Sequence, residues 1–195
     1  YKISGDNKEI RIYSDSLELF PVYINGPNDT VRALIIGASG SGKTTFARKF
    51  ISSFKAFNPE FSDFTTVLIS RHQQDISIDD LDQMVRLEID LDEPIMLEEL
   101  SNKIIIFDDV ENSSNKAWQK YVESLRNDIF ENGRKYNIHT LSIIHLYDGK
   151  YLKTLINESN NLVLMNQNMS YNNDRIITKY LGLSNKDNTR LKRQL

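Results

Sequence analysis

The chain has 195 residues, 39% of them apolar and 26% charged, with a formal net charge of −3. That is the size and balance of one soluble globular domain, and it excludes a fibre, a disordered chain and a globally basic nucleic-acid binder. There is no cysteine, so disulfides, thiolate metal sites and cysteine nucleophiles are excluded too, and a reducing compartment fits. His72, His139 and His145 are scattered without ligand spacing, which argues against zinc, and no apolar run approaches the ~20 residues that span a membrane. The first residue is Tyr1, so the lack of a targeting signal carries little weight.

In chain order, residues 9–13 and 17–24 are predicted as short strands, with a turn at 25–28. The apolar run Ala33 to Ile36 follows as a buried strand and leads into Gly37, Ala38, Ser39, Gly40, Ser41, Gly42, Lys43 and Thr44. These match the phosphate-binding pattern G-x-x-x-x-G-K-[ST], which arises by chance in roughly one chain of this length in a hundred. From Thr45 to Phe54 the phenylalanines Phe46, Phe50 and Phe54 recur every fourth residue, as on one helical face, and Asn58 with Pro59 ends the helix. Further strands are expected at 66–70, 104–107, 140–144 and 162–165, short runs of the kind buried on both faces of a parallel sheet. Between them, Trp118, Tyr121, Val122, Leu125 and Ile129 mark an amphipathic helix over 115–130, its aromatics read as core and not as a base-stacking platform. Residues 150–156 and 175–181 are shorter helix candidates.

The expected organisation is a single α/β domain with a mainly parallel sheet and helices on both faces. Residues 1–30 form amino-terminal strands, 31–166 a nucleotide-binding core, and 167–195 a helical, basic end. Charge is unevenly spread along it. From Asp75 to Glu99 ten acids face only Arg86, and from Arg175 to Leu195 six bases face only Asp187. Each segment reads either as a solvated surface or as a docking face for a partner.

The residue types explain the chemistry. A triphosphate needs many donors at close range, and glycines at 37, 40 and 42 let backbone N–H groups wrap it through positive φ angles while the next helix presents its positive end. Lys43 would reach the β- and γ-phosphates, the Thr44 hydroxyl would ligate Mg²⁺, and Thr45 completes the loop. The strand Lys103 to Phe107 ends in Asp108 and Asp109. Asp108 would hold Mg²⁺ through water, and Asp109 would orient or deprotonate the attacking water, with Glu111 as the alternative.

Beyond the helix, Gly133, Arg134, Asn137, Ile138 and His139 precede a strand ending near His145. With the phosphate loop and the Ile-Ile-Phe-Asp-Asp strand, this element resembles the FtsK/HerA superfamily of ring-forming DNA translocases, and in particular the genome-packaging ATPases of large DNA viruses (poxvirus-type) and their relatives. The likeness covers roughly residues 30–185, and only the two nucleotide motifs are specific on their own. It implies an additional-strand phosphate-loop fold, in which the His145 strand lies between the Asp108 strand and the phosphate-loop strand. It further implies that Arg134 is an arginine finger acting on ATP held by the neighbouring subunit, a surface arginine at a helix end being the competing reading. The family's polar sensor, often glutamine, falls here on His145, or with a one-residue offset on Tyr147 or Asp148; a satisfied core histidine is the competing reading.

What the resemblance implies of function is an ATP-driven, homo-oligomeric ring of five or six subunits that moves double-stranded DNA into a viral capsid. It would need Mg²⁺, engage a capsid or portal-vertex protein, and work in the host cytoplasm or virus factory or on the virion. The carboxy-terminal bases, or Lys150 and Lys153, would grip DNA phosphates without reading sequence. The alternative is an assembly or regulatory NTPase that switches a protein partner without moving DNA. A GTPase is disfavoured because Asn185, Lys186, Asp187 and Asn188 place asparagine where guanine selection requires aspartate. A small-molecule kinase would have no need of paired carboxylates for a water nucleophile.

Overall fold

The computed structural model describes residues 2–5, 8–11, 29–145 and 150–165, and towards the carboxy terminus 174, 176–180, 182–184, 186, 187 and 189. Strands β1 (Lys2–Gly5) and β2 (Lys8–Arg11) pair antiparallel. Strand β2 overlaps the strand expected at 9–13, and β1 is an addition the sequence reading did not foresee, in a segment whose alternation is too short to register as a pattern. The predicted strand over 17–24 and the turn after it lie outside the described residues.

The core is a six-stranded sheet, every pairing parallel, built from β3 (Arg32–Ile36), β4 (Thr65–Ser70), β5 (Met84–Arg86), β6 (Lys103–Asp108), β7 (His139–Ile144) and β8 (Asn161–Leu164). Across the sheet the order is β5-β4-β6-β7-β3-β8, so β7 is inserted between the strand of the phosphate-loop motif and the strand of the paired carboxylates. Successive residues of each strand serve opposite faces. On one face Ala33, Ile35, Leu68, Ile104, Ile106, Leu141 and Ile143 pack under helix α1 (Lys43–Phe57), whose Ala47, Phe50, Ile51 and Phe54 are buried. The other face carries Val67, Ile69, Ile105 and Phe107 against Val122, Leu125 and Ile129 of helix α2 (Lys116–Asn132). Next to it Leu34, Ile36 and Ile144 pack against Leu152 and Leu155 of helix α3 (Lys150–Glu158). Burial on both faces selects the continuous apolar runs seen in β3 and β6, each fully buried Ile or Leu contributing roughly 1.5–3 kcal/mol.

Local signals set the ends of the helices. The side chain and backbone N–H of Asn58 both donate to Phe54 O, at 2.7 and 3.0 Å, closing α1 before Pro59. The Asn115 side chain accepts from Trp118 N at 3.1 Å and caps α2. Trp118 and Tyr121 pack against the core as expected, and the Tyr121 hydroxyl accepts from Ile95 N at 2.7 Å.

Strand β5 is an edge strand the sequence reading did not foresee, lying inside the acidic stretch. Ile78, Leu81 and Leu97 of that stretch are buried, so it closes the sheet edge as part of the core. Several of its acids face bases, as Asp79 does Arg86 and Asp80 does Arg48. Of the basic end, residues 175, 190, 192 and 193 lie outside the described residues. Among the described residues no helix is long and apolar enough to cross a membrane.

Candidate functional site

In a parallel sheet the loops at the carboxyl ends of the strands meet at one edge of the fold. Here the loops after β3, β4, β6 and β7 supply the candidate residues, and the register brings them level: Ile36 pairs with Ile144, and Asp108 with both Ile143 and Ser70.

The phosphate-loop motif leaves β3 at Gly37 and enters α1 at Lys43. Gly40 and Gly42 hold φ of 73° and 84°, and no atom lies within 4 Å of where a Cβ would stand on either. Gly37 does not have positive φ, contrary to expectation. Glycine is required there for space, since a Cβ would come within 2.6 Å of both Met165 Cβ and Ser41 Oγ. Ser41 Oγ is buried without a hydrogen-bond partner among the described residues. Lys43 is 5% exposed, and its ammonium donates to Ala38 O at 2.7 Å and lies 3.5 Å from His145 Nδ1. Burial lowers the Lys43 pKa, and the charges of Asp108 and Asp109 oppose that shift. An open glycine arc, an unpaired buried hydroxyl, a buried ammonium and a helix amino terminus together fit a bound phosphate group.

Asp108 ends β6 and is buried. Burial first, then repulsion by Asp109 and Asp75, pushes its pKa up to about 6, while Lys43 and His72 pull the other way. A buried carboxylate in this state is suited to a cation, and a hydroxyl such as that of Thr44, in the first turn of α1, suits the same kind of ion. Asp108 and Thr44 therefore fit Mg²⁺ carried in with phosphate.

Asp109 adopts the left-handed conformation, φ 53°, which turns its side chain out of the strand direction. Its Oδ1 accepts from His145 Nε2 at 2.5 Å and its Oδ2 from His72 Nε2 at 2.9 Å, with Arg71 Nη2 at 3.8 Å. Burial alone would raise its pKa; the bonds from His72 and His145, with the charge of Arg71, outweigh that and hold it below the usual carboxylate range. Because the Lys43 ammonium can only donate, His145 accepts at Nδ1 and donates at Nε2, which assigns its tautomer from the geometry.

Glu111, the alternative to Asp109, is turned elsewhere. Its Oε1 is in direct contact with Arg126 Nη1, and Arg126, 1% exposed, also lies 3.4 Å from Ser142 Oγ beneath the sheet surface. Arg134 is exposed in the turn Gly133–Tyr136, directly ahead of β7 and so at the end of the sheet opposite Lys43. Tyr147 and Asp148 lie outside the described residues. Thr45 is exposed on the first turn of α1.

Sequence reasoning did not find Arg71 and His72. They precede Asp109 by more than thirty residues, in no spacing motif. The one available signal was their place, a basic pair directly after a predicted parallel strand.

No family model matches the chain. It is 27% identical over 176 residues to uncharacterized protein V3 of Sputnik virophage, an alignment covering 84% of this chain and 68% of that protein. The chain is thus distantly similar to a viral protein whose name states no activity.

Proposed function

We propose that the chain is an additional-strand phosphate-loop ATPase, cleaving Mg²⁺·ATP to ADP and phosphate, and that it acts as a ring-forming motor on double-stranded DNA in viral genome packaging. The observation that carries the ATPase reading is the meeting of Lys43, Asp108, Asp109 and His145 at adjoining strand ends, with β7 inserted between β6 and β3. The ring, the DNA and the capsid partner rest on the family resemblance, to which the likeness to a viral protein adds support.

In this reading the loop N–H groups from Gly37 to Thr44 and the Lys43 ammonium bind the phosphates, with Lys43 exchanging Ala38 O and His145 for phosphate oxygens. Thr44 and, through water, Asp108 would hold Mg²⁺, which would supply charge neutralisation at the phosphate oxygens. Asp109 orients the attacking water and accepts its proton, while the His145 N–H fixes the carboxylate. Arg134 cannot reach the phosphates of its own chain from the far end of β7. It would act in trans, on ATP held by the next copy of a ring.

The test is steady-state phosphate release from Mg²⁺·ATP with and without linear double-stranded DNA at low salt. The expected result is hydrolysis stimulated by DNA and reduced on the order of 10²–10³-fold by Lys43→Ala, the usual scale for removing one preorganised charge-stabilising group. Turnover indifferent to DNA would replace the motor with a nucleotide-driven assembly switch. A phosphorylated acceptor in place of free phosphate would make the protein a kinase.

A further inference from the structure

The geometry points to His72 as a positioning residue for catalysis, holding the Asp109 carboxylate from the side opposite His145. The inference deepens the ATPase reading and rests on it. Strand β6 lies between β4 and β7, so the loops after those two strands flank Asp109. From the β7 side His145 Nε2 meets Oδ1 at 2.5 Å; from the β4 side His72 Nε2 meets Oδ2 at 2.9 Å. A carboxylate held at both oxygens cannot rotate about its terminal bond, and rotation is what a water-orienting group on a strained left-handed residue has to suppress.

The placement of His72 is built into the loop at several points. Its backbone N–H donates to Ser70 Oγ at 3.2 Å, and its carbonyl accepts from Arg86 Nη1 at 2.6 Å. Arg86 is itself fixed by Asp79, to which its Nε and Nη2 donate at 3.0 and 2.5 Å. The edge strand β5, which carries Arg86, thus braces a residue that reaches the site. The His72 side chain is 45% exposed. That exposure sets His72 apart from a core histidine, because little packing is lost when the ring is replaced.

The experiment compares wild type, His72→Ala and His72→Gln in phosphate release over a range of Mg²⁺·ATP concentrations, alongside affinity for a fluorescent ATP analogue and thermal unfolding. Glutamine can present an N–H at the reach of the imidazole Nε2. The expected result is a kcat lowered about 10–100-fold in His72→Ala, the scale seen when groups that orient reacting ligands are removed. KM, nucleotide affinity and Tm should stay close to wild type, and His72→Gln should recover most of the rate. Undiminished kcat in His72→Ala, with wild type active, overturns the inference and leaves the ATPase reading standing. A loss shared by both variants that follows nucleotide affinity or Tm also overturns it, since the role would then be binding or folding. Wild type that releases no phosphate overturns the ATPase reading and this inference together.

Discussion

Strand β7 carries a histidine at each end, and the two have little in common. His139, its first residue, is fully buried, with ring centroids of Phe61, Phe54 and Phe64 at 4.5, 5.0 and 5.8 Å, and its Nδ1 accepts from Val31 N at 3.1 Å. Burial pushes its pKa down to about 4 against a weaker opposing pull from Asp29, so at neutral pH it is an uncharged piece of core. His145, just past the other end, is half-buried and linked to Lys43 and Asp109. The same side chain serves packing at the amino end of the sheet and lies in the candidate site at the carboxyl end, where the loops after neighbouring strands converge. Arg134 belongs by position to the amino end, which makes it the residue that tests this division.

If fingers act in trans, Arg134→Ala should lower phosphate release by roughly 10³–10⁵-fold, with nucleotide affinity and folding unchanged. Mixing the variant with wild type should then depress turnover more steeply than in proportion. Loss in strict proportion would leave the amino end without catalytic reach and break the ring model.

A second test separates the two acids that follow β6. Removing Glu111 leaves the Arg126 charge buried without its partner, a loss of about 3–5 kcal/mol expected in urea unfolding of Glu111→Ala. Asp109→Asn should instead unfold close to wild type while hydrolysis falls. Equal unfolding free energies for wild type and Glu111→Ala would show that the assignment of Glu111 to structure is mistaken.

The buried end of β7 should show itself in pH dependence. His139 in the unfolded chain gains a proton near pH 6.5, and in the folded protein only near pH 4. Its stabilising contribution is therefore complete above pH 6.5 and is lost as pH falls towards 4. The stability advantage of wild type over His139→Phe should shrink by up to roughly 3 kcal/mol across that window. An advantage that stays constant with pH would mean that the ring is not buried in its neutral form. The smallest effect expected is in Asn115→Ala, where loss of the α2 cap costs about 1 kcal/mol in the same unfolding measurement and leaves hydrolysis untouched.

Much of the molecule was legible in local pattern. Ile104 to Phe107 was expected as a strand buried on both faces, and the glycine spacing before Lys43 as a loop that leaves its backbone open. Both are properties of a few consecutive residues, and helix ends such as Asn58 and Asn115 are equally local. The short edge strand β5 was missed because Met84, Val85 and Arg86 carry no periodicity; pairing with β4 makes them a strand. Gly37 looked like a third flexible glycine, and only the approach of Met165 and Ser41 shows that it is needed for space.

The sequence alone was enough to announce a phosphate-loop motif, a carboxylate-tipped strand and their order along the chain, since each is written in adjacent residues and chain spacing. The tertiary structure alone set Asp109 between His145 and His72, turned Glu111 towards Arg126 and brought in Arg71. Those placements depend on which strand ends become neighbours, and in a parallel sheet neighbours are set by strand order across the sheet, which no stretch of sequence contains.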